Sequence, residues 1–90
     1  MSGVLGALGK AIRQVREDRS LSQERLAEIA GLHRTYISSV EQGRRNISID
    51  NIFKIANALG VSMTEIIQLC EDRLDPISPK KSVKDGRKSR

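Results

Sequence analysis

Aromatic side chains are almost missing from this 90-residue chain: tryptophan is absent, and Tyr36 and Phe53 are its only tyrosine and phenylalanine. A core must therefore be assembled from Leu, Ile, Val and Ala. Cysteine is equally scarce. The lone Cys70 excludes an internal disulfide, fits a reducing interior and reads as a buried packing residue. One cysteine and one histidine, His33, cannot assemble a metal site within the chain, and neither metal nor cofactor is expected. No stretch approaches the ~18 apolar residues of a membrane span. The apolar, glycine-rich opening Met1–Lys10 lacks a basic leader and runs straight into a helix, so it does not read as a signal peptide. A cytoplasmic protein without membrane contact is expected. Enzyme chemistry finds no foothold: there is no cysteine–histidine pair at motif spacing, no phosphate-cradling glycine loop and no carboxylate dyad.

What is present is charge, unevenly spread. The net charge is +5. Residues 75–90 hold Lys80, Lys81, Lys84, Arg87, Lys88 and Arg90 against Asp75 and Asp85, a balance of +4 that leaves +1 for residues 1–74. The chain thus divides into a folded domain, 1–74, and a basic tail, 75–90, expected to be disordered. Such a tail either binds phosphates by charge alone or simply solvates a loose end.

Hydrophobic periodicity predicts five helices and no strand. Leu5, Leu8, Ala11, Ile12 and Val15 mark the inner face of a first helix from about residue 5 to Asp18, its start weakened by Gly6 and Gly9. Lys10, Arg13, Gln14 and Glu17 lie on its outer face. Ser22 caps a second helix with Leu26, Ala27, Ile29 and Ala30 on its apolar side, closed by Gly31. A third helix runs from about His33 to Gln42. Ser48 opens a fourth with a broad stripe of Ile49, Ile52, Phe53, Ile55, Ala56 and Leu59, ended by Gly60. Ser62-Met-Thr-Glu65 has capping-box spacing and starts a fifth, reaching toward Leu74 before Asp75-Pro76.

The middle of the chain carries the functional signal. At roughly 100° per residue, Ile37 and Val40 turn inward on the third helix while Thr35, Ser38, Ser39 and Gln42 turn outward, with Arg34 and Tyr36 on the flanks. Hydroxyls, an amide, a guanidinium and a phenol, with no carboxylate at their centre, suit the edge of a DNA major groove. A plain helical hairpin inside a bundle has the same form, so the pair alone leaves both readings open.

The order of helices, with Leu21-Ser-Gln23-Glu, Leu26-Ala27, Ala30-Gly31, Ile37-Ser38, Val40-Glu41-Gln-Gly43 and Ile52…Ile55-Ala56-Asn-Ala58-Leu59-Gly60-Val61, resembles the phage-repressor (Xre-type) helix-turn-helix family over about residues 8–70. Within it, Arg34-Thr-Tyr-Ile-Ser38 followed by Arg45-Asn46 is similar to controller proteins of restriction–modification systems. The resemblance implies an all-α, five-helix, lambda-repressor-like fold. It implies that Gln23 holds a phosphate, that Arg34, Thr35 and Tyr36 start the base-reading helix, and that Arg45 enters the groove or grips phosphate. Ser38, Ser39, Arg44, Asn46 and His33 are further candidates for DNA contact. Arg16 and Glu41 match an internal ion pair that is structural. Departures are the short polar groups on the outer face, where several phage repressors carry glutamines, and the tail beyond Pro76, which has no counterpart.

The function implied is a homodimeric, sequence-specific transcription regulator on a roughly palindromic operator in double-stranded DNA, with RNA polymerase as a further partner at a promoter. Ile66, Ile67 and Leu69 are the candidate dimer interface, with burial inside the protomer as the competing reading for each. The alternative is an antitoxin-like protein-binding module that also represses its own operon.

Overall fold

The computed structural model describes residues 3–74; the basic tail expected over 75–90 lies outside the described residues. Five helices follow one another: α1 Gly3–Asp18, α2 Gln23–Ala30, α3 Arg34–Glu41, α4 Ile49–Leu59 and α5 Met63–Asp72. No strand occurs among the described residues. α1 packs against α3 and α5, α2 against α3 and α4, and α4 against α5. The short α3 is therefore clamped between α1 and α2.

Local chemistry sets the boundaries. The hydroxyls of Ser22, Ser48 and Ser62 accept from the N–H groups of Arg25, Asn51 and Glu65 at 2.9, 3.1 and 3.0 Å. At Ser62 the box is closed, since its own N–H donates to Glu65 Oε1. Each such cap satisfies a donor that the helix itself cannot. Gly31 and Gly60 end α2 and α4 in the left-handed region. The fifth helix stops at Asp72, short of Leu74: the N–H groups of Arg73 and Leu74 tighten onto Cys70 and Glu71 in a closing turn. The Arg73 guanidinium then donates to Gln14 Oε1 at 2.7 Å, tying the end of α5 to α1.

Ile12, Leu26, Ile37, Ile55, Leu59 and Ile66 fill the centre and are essentially inaccessible. Cys70 is buried too, and burial pushes its thiol pKa up, so it stays protonated and unreactive at neutral pH. Among the described residues no single helix is long and apolar enough to cross a membrane.

Three expectations need correction. Ile66 is 0% exposed, spent on the protomer's own core, and so offers nothing to a second subunit. Conversely, Ile29, Ile49 and Phe53, read as apolar faces of α2 and α4, stand outside at 47%, 64% and 52% exposure. The apolar stripe of α4 is wider than the surface its neighbours cover. Finally, the start of α1 is displaced. The helix begins earlier than expected, at Gly3, and Gly6 and Gly9 are buried.

Those glycines are where the α1 backbone meets the end of α3. A Cβ on Gly9 would run into the Val40 carbonyl oxygen and lie 2.6 Å from that of Glu41. Gly43, at φ +73°, sits so close to α1 that its Cβ would fall 2.9 Å from Gly6 Cα. Farther along the same seam is a buried ion pair. Arg16 Nε donates to Glu41 Oε2 at 2.6 Å and Nη2 to Oε1 at 2.9 Å. Arg16 Nη1 takes the Leu21 carbonyl at 2.8 Å, and the Gln23 amide adds a bond to Glu41 Oε1 at 3.0 Å. Glu41's hydrogen bonds outweigh desolvation of the guanidinium and hold the Arg16 pKa above its ordinary value. These are the two residues that the resemblance matches to an internal ion pair.

Two stability predictions follow from this seam. Gly9→Ala should gain about 1 kcal/mol from helix propensity yet lose about 3 kcal/mol through overpacking, so urea unfolding should show a net loss. A neutral or stabilised variant would mean that α1 and α3 can separate freely. Glu41→Ala strands a buried guanidinium and should cost about 3–5 kcal/mol, seen as a lower urea midpoint at unchanged slope.

Candidate nucleic-acid interface

An eight-residue helix such as α3 does not persist alone in water. It is held by its inner side, where Ile37 and Val40 are buried and Glu41 is paired. That leaves the opposite side for chemistry. Arg34, Thr35 and Gln42 are exposed, with Ser38 and Ser39 half-buried between them. Gln42 Nε2 donates to Ser38 Oγ at 3.2 Å, so part of this polar surface is already ordered.

The start of α3 is open. His33 occupies the N-cap position through its backbone, but no side chain caps the first turn. Its imidazole is exposed. Uncapped N–H groups and the positive end of the helix dipole favour an anion at this point.

The loop that leaves α3 returns to the same surface. The Arg44 N–H is bonded to the Ser39 carbonyl at 2.9 Å, and Ile47, half-buried, anchors the loop's far end in the core. Between these anchors Arg44, Arg45 and Asn46 are exposed. Arg45 does not extend freely: its guanidinium lies over the Tyr36 ring, 4.9 Å from the centroid. The Tyr36 ring is half-buried against the core, and its phenol oxygen accepts from Asn51 Nδ2 at 2.9 Å. Tyr36 is thus both a packing residue and a platform.

Gln23 is placed differently from a free phosphate ligand. Its amide already donates one hydrogen to Glu41, and only the second N–H of that group is left for an outside acceptor. Two neighbourhoods were not visible from the sequence. Lys10 and Arg13 share an open cleft with Gln42 and Arg44, where the start of α1 meets the end of α3. Their three-residue spacing on α1 was the available signal. At the other end of α3, His33 and Arg34 border a depression that also holds Glu24 and Glu28. Glu28 is tied to Arg25 at 2.8 Å. The polar face of α3 therefore runs from an edge holding Glu24 and Glu28 to one holding Lys10, Arg13 and Arg44, where Arg13 is in turn tied to Glu17 at 3.0 Å. Among the described residues no group of three or more His, Cys, Asp or Glu could hold a metal ion.

The arrangement has counterparts. A helix-turn-helix family model matches residues 12–66. Control protein C.BamHI of Bacillus amyloliquefaciens is 52% identical over 60 residues, which cover 66% of this chain and 74% of that protein. Control protein C.SmaI of Serratia marcescens is 45% identical over 60 residues, 67% of this chain and 71% of that protein. Among solved structures, the restriction–modification controller protein C.AhdI from Aeromonas hydrophila superposes with a TM-score of 0.68 at 44% identity, covering 69% of this chain and 94% of that one. A polar outward face on the clamped α3, and relatives of this kind, lead to one conclusion: the chain belongs to the helix-turn-helix family of DNA-binding transcription regulators.

Proposed function

We propose that the protein acts as a homodimer in the cytoplasm and that each protomer lays α3 in a major groove of a roughly palindromic operator. The observation that carries this reading is the outward face of α3. It offers Arg34, Thr35, Ser38, Ser39 and Gln42 together, with Arg44, Arg45 and Asn46 beside them and no carboxylate at its centre. Arg34 makes a bidentate contact to guanine, while Thr35 brings a hydroxyl and a methyl to a neighbouring base edge. Gln23, through its remaining N–H, and the uncapped start of α3 beside His33 take phosphates, which set register without reading sequence. Lys10, Arg13 and Arg44 extend the phosphate-facing surface past the end of α3.

Two-fold symmetry then places the half-sites about one helical turn (~34 Å) apart. Of the interface residues expected from the sequence, Ile67 is 39% exposed and Leu69 half-buried. Ile49 and Phe53, one turn apart on α4 and more than half exposed, join them as the apolar surface a second copy would cover. Apolar side chains of this size on so small a domain favour burial in an oligomer. Similarity to proteins described as controllers of restriction–modification systems supports a role in setting expression of a restriction endonuclease and of its own gene, with RNA polymerase as second partner where the site activates.

Selection from random duplexes, followed by sequencing, should return a two-fold-symmetric site. Arg34→Ala should relax preference at one base position per half-site and cost about 1–3 kcal/mol per contact. Equal, weak, steeply salt-dependent binding by both proteins would instead indicate charge-driven attachment. Phe53→Glu alters an exposed residue, so the fold should survive. Sedimentation should then show a monomer, and operator affinity should fall by at least about tenfold through loss of the second half-site.

A further inference from the structure

Arg45 sits in the loop after α3, where the chain has no helix to fix it. Ordering a side chain of that length on binding costs about 1.5–2 kcal/mol in lost rotamers, and a guanidinium that must reach a groove or phosphate binds better if it is aimed beforehand. The Tyr36 ring supplies a surface for it at 4.9 Å, within the range of a cation–π contact. A ring that itself rocks would aim nothing. Its phenol oxygen, however, is held by Asn51 Nδ2 at 2.9 Å.

Asn51 belongs to the first turn of α4, with its backbone N–H bonded to Ser48 Oγ at 3.1 Å. The core side of α4 is formed by Ile52, Ile55, Ala56 and Leu59. Asn51 lies off that side and is half-buried. A partly buried amide is costly unless bonded, and here the bond goes to the residue that carries the arginine.

We infer that Asn51 is a positioning residue for DNA recognition: it fixes the Tyr36 ring, and the ring holds the Arg45 guanidinium ready for the nucleic acid. The chain of contacts runs from Asn51 on α4 through Tyr36 on α3 to Arg45 in the loop, so the fourth helix helps to aim the arginine. This deepens the DNA-reading function proposed above and rests on it.

A double-mutant cycle on the full-length protein tests the inference, using the duplex returned by selection. Asn51→Ala should weaken binding about fivefold when Arg45 is present and hardly at all in an Arg45→Ala background, because coupled residues are not additive. In an Arg34→Ala background the fivefold loss should persist. An equal loss with and without Arg45 would overturn the inference and make Asn51 an anchor of α3 alone. Should Asn51→Ala fail to fold, Tyr36→Phe keeps the ring, removes the accepting oxygen, and should give the same loss and the same dependence on Arg45.

A second readout needs no DNA. Tyr36 is the sole tyrosine. Its ring current should shift the Arg45 side-chain protons upfield in the NMR spectrum, and that shift should shrink in Asn51→Ala and in Tyr36→Phe. Unchanged shifts would sink the positioning role. If selection returned no site at all, the DNA reading would fall while these shifts still decided whether Asn51 aims the arginine.

Discussion

The buried bidentate pair between Arg16 and Glu41 is the constraint on which the rest of the molecule depends. It joins the last turn of α1 to the last residue of α3, and through the Leu21 carbonyl and the Gln23 amide it also takes in the start of α2. Three helices thus meet at one carboxylate. A buried charge pair is a poor source of net stability compared with apolar packing, but it is directional. Leucine and isoleucine fill space at many angles; two parallel N–H···O bonds permit few. Among fully buried side chains that include no aromatic ring, that directionality helps to fix how far α3 projects and which way it is turned.

The polar face follows from that placement. Once Ile37, Val40 and Glu41 are committed inward, helical geometry alone turns Thr35, Ser38, Ser39 and Gln42 outward. The loop to α4 then brings Arg44, Arg45 and Asn46 beside them. The cations cluster toward the end of α3, through Lys10, Arg13 and Arg44, and the carboxylates Glu24 and Glu28 gather near its start.

Much of this could be read from the residues. The caps at Ser22, Ser48 and Ser62 and the helix ends at Gly31 and Gly60 were legible because each is a transaction among residues three or four apart. The inward and outward sides of α3 were legible for the same reason. What could not be read depends on distant neighbours. A periodic stripe says that α4 is apolar along one side, not which flank of it is covered, so Ile49 and Phe53 passed for core and Ile66 stayed open between a dimer interface and the protomer's own core. Gly6 and Gly9 looked like weak helix formers because the backbone they approach, Gly43 for Gly6 and the Val40 and Glu41 carbonyls for Gly9, lies more than thirty residues away. Asn51 gave no signal at all: its partner, Tyr36, belongs to another helix, and an asparagine in a first helical turn is ordinary.

The close approach of Gly9 to the end of α3 has a wider consequence. Orientation of α3 is set from behind, by backbone against backbone and by Glu41, while the residues on its outward face take little part in holding it. Thr35 and Gln42 are exposed, and Ser38 and Ser39 are only half-covered. Packing and outward chemistry are therefore stored largely in separate positions, with Tyr36 and Gln23 serving both. Such a scaffold can exchange one operator for another by drift on its outer face alone, and a family built on it can diversify its targets without first relearning how to fold.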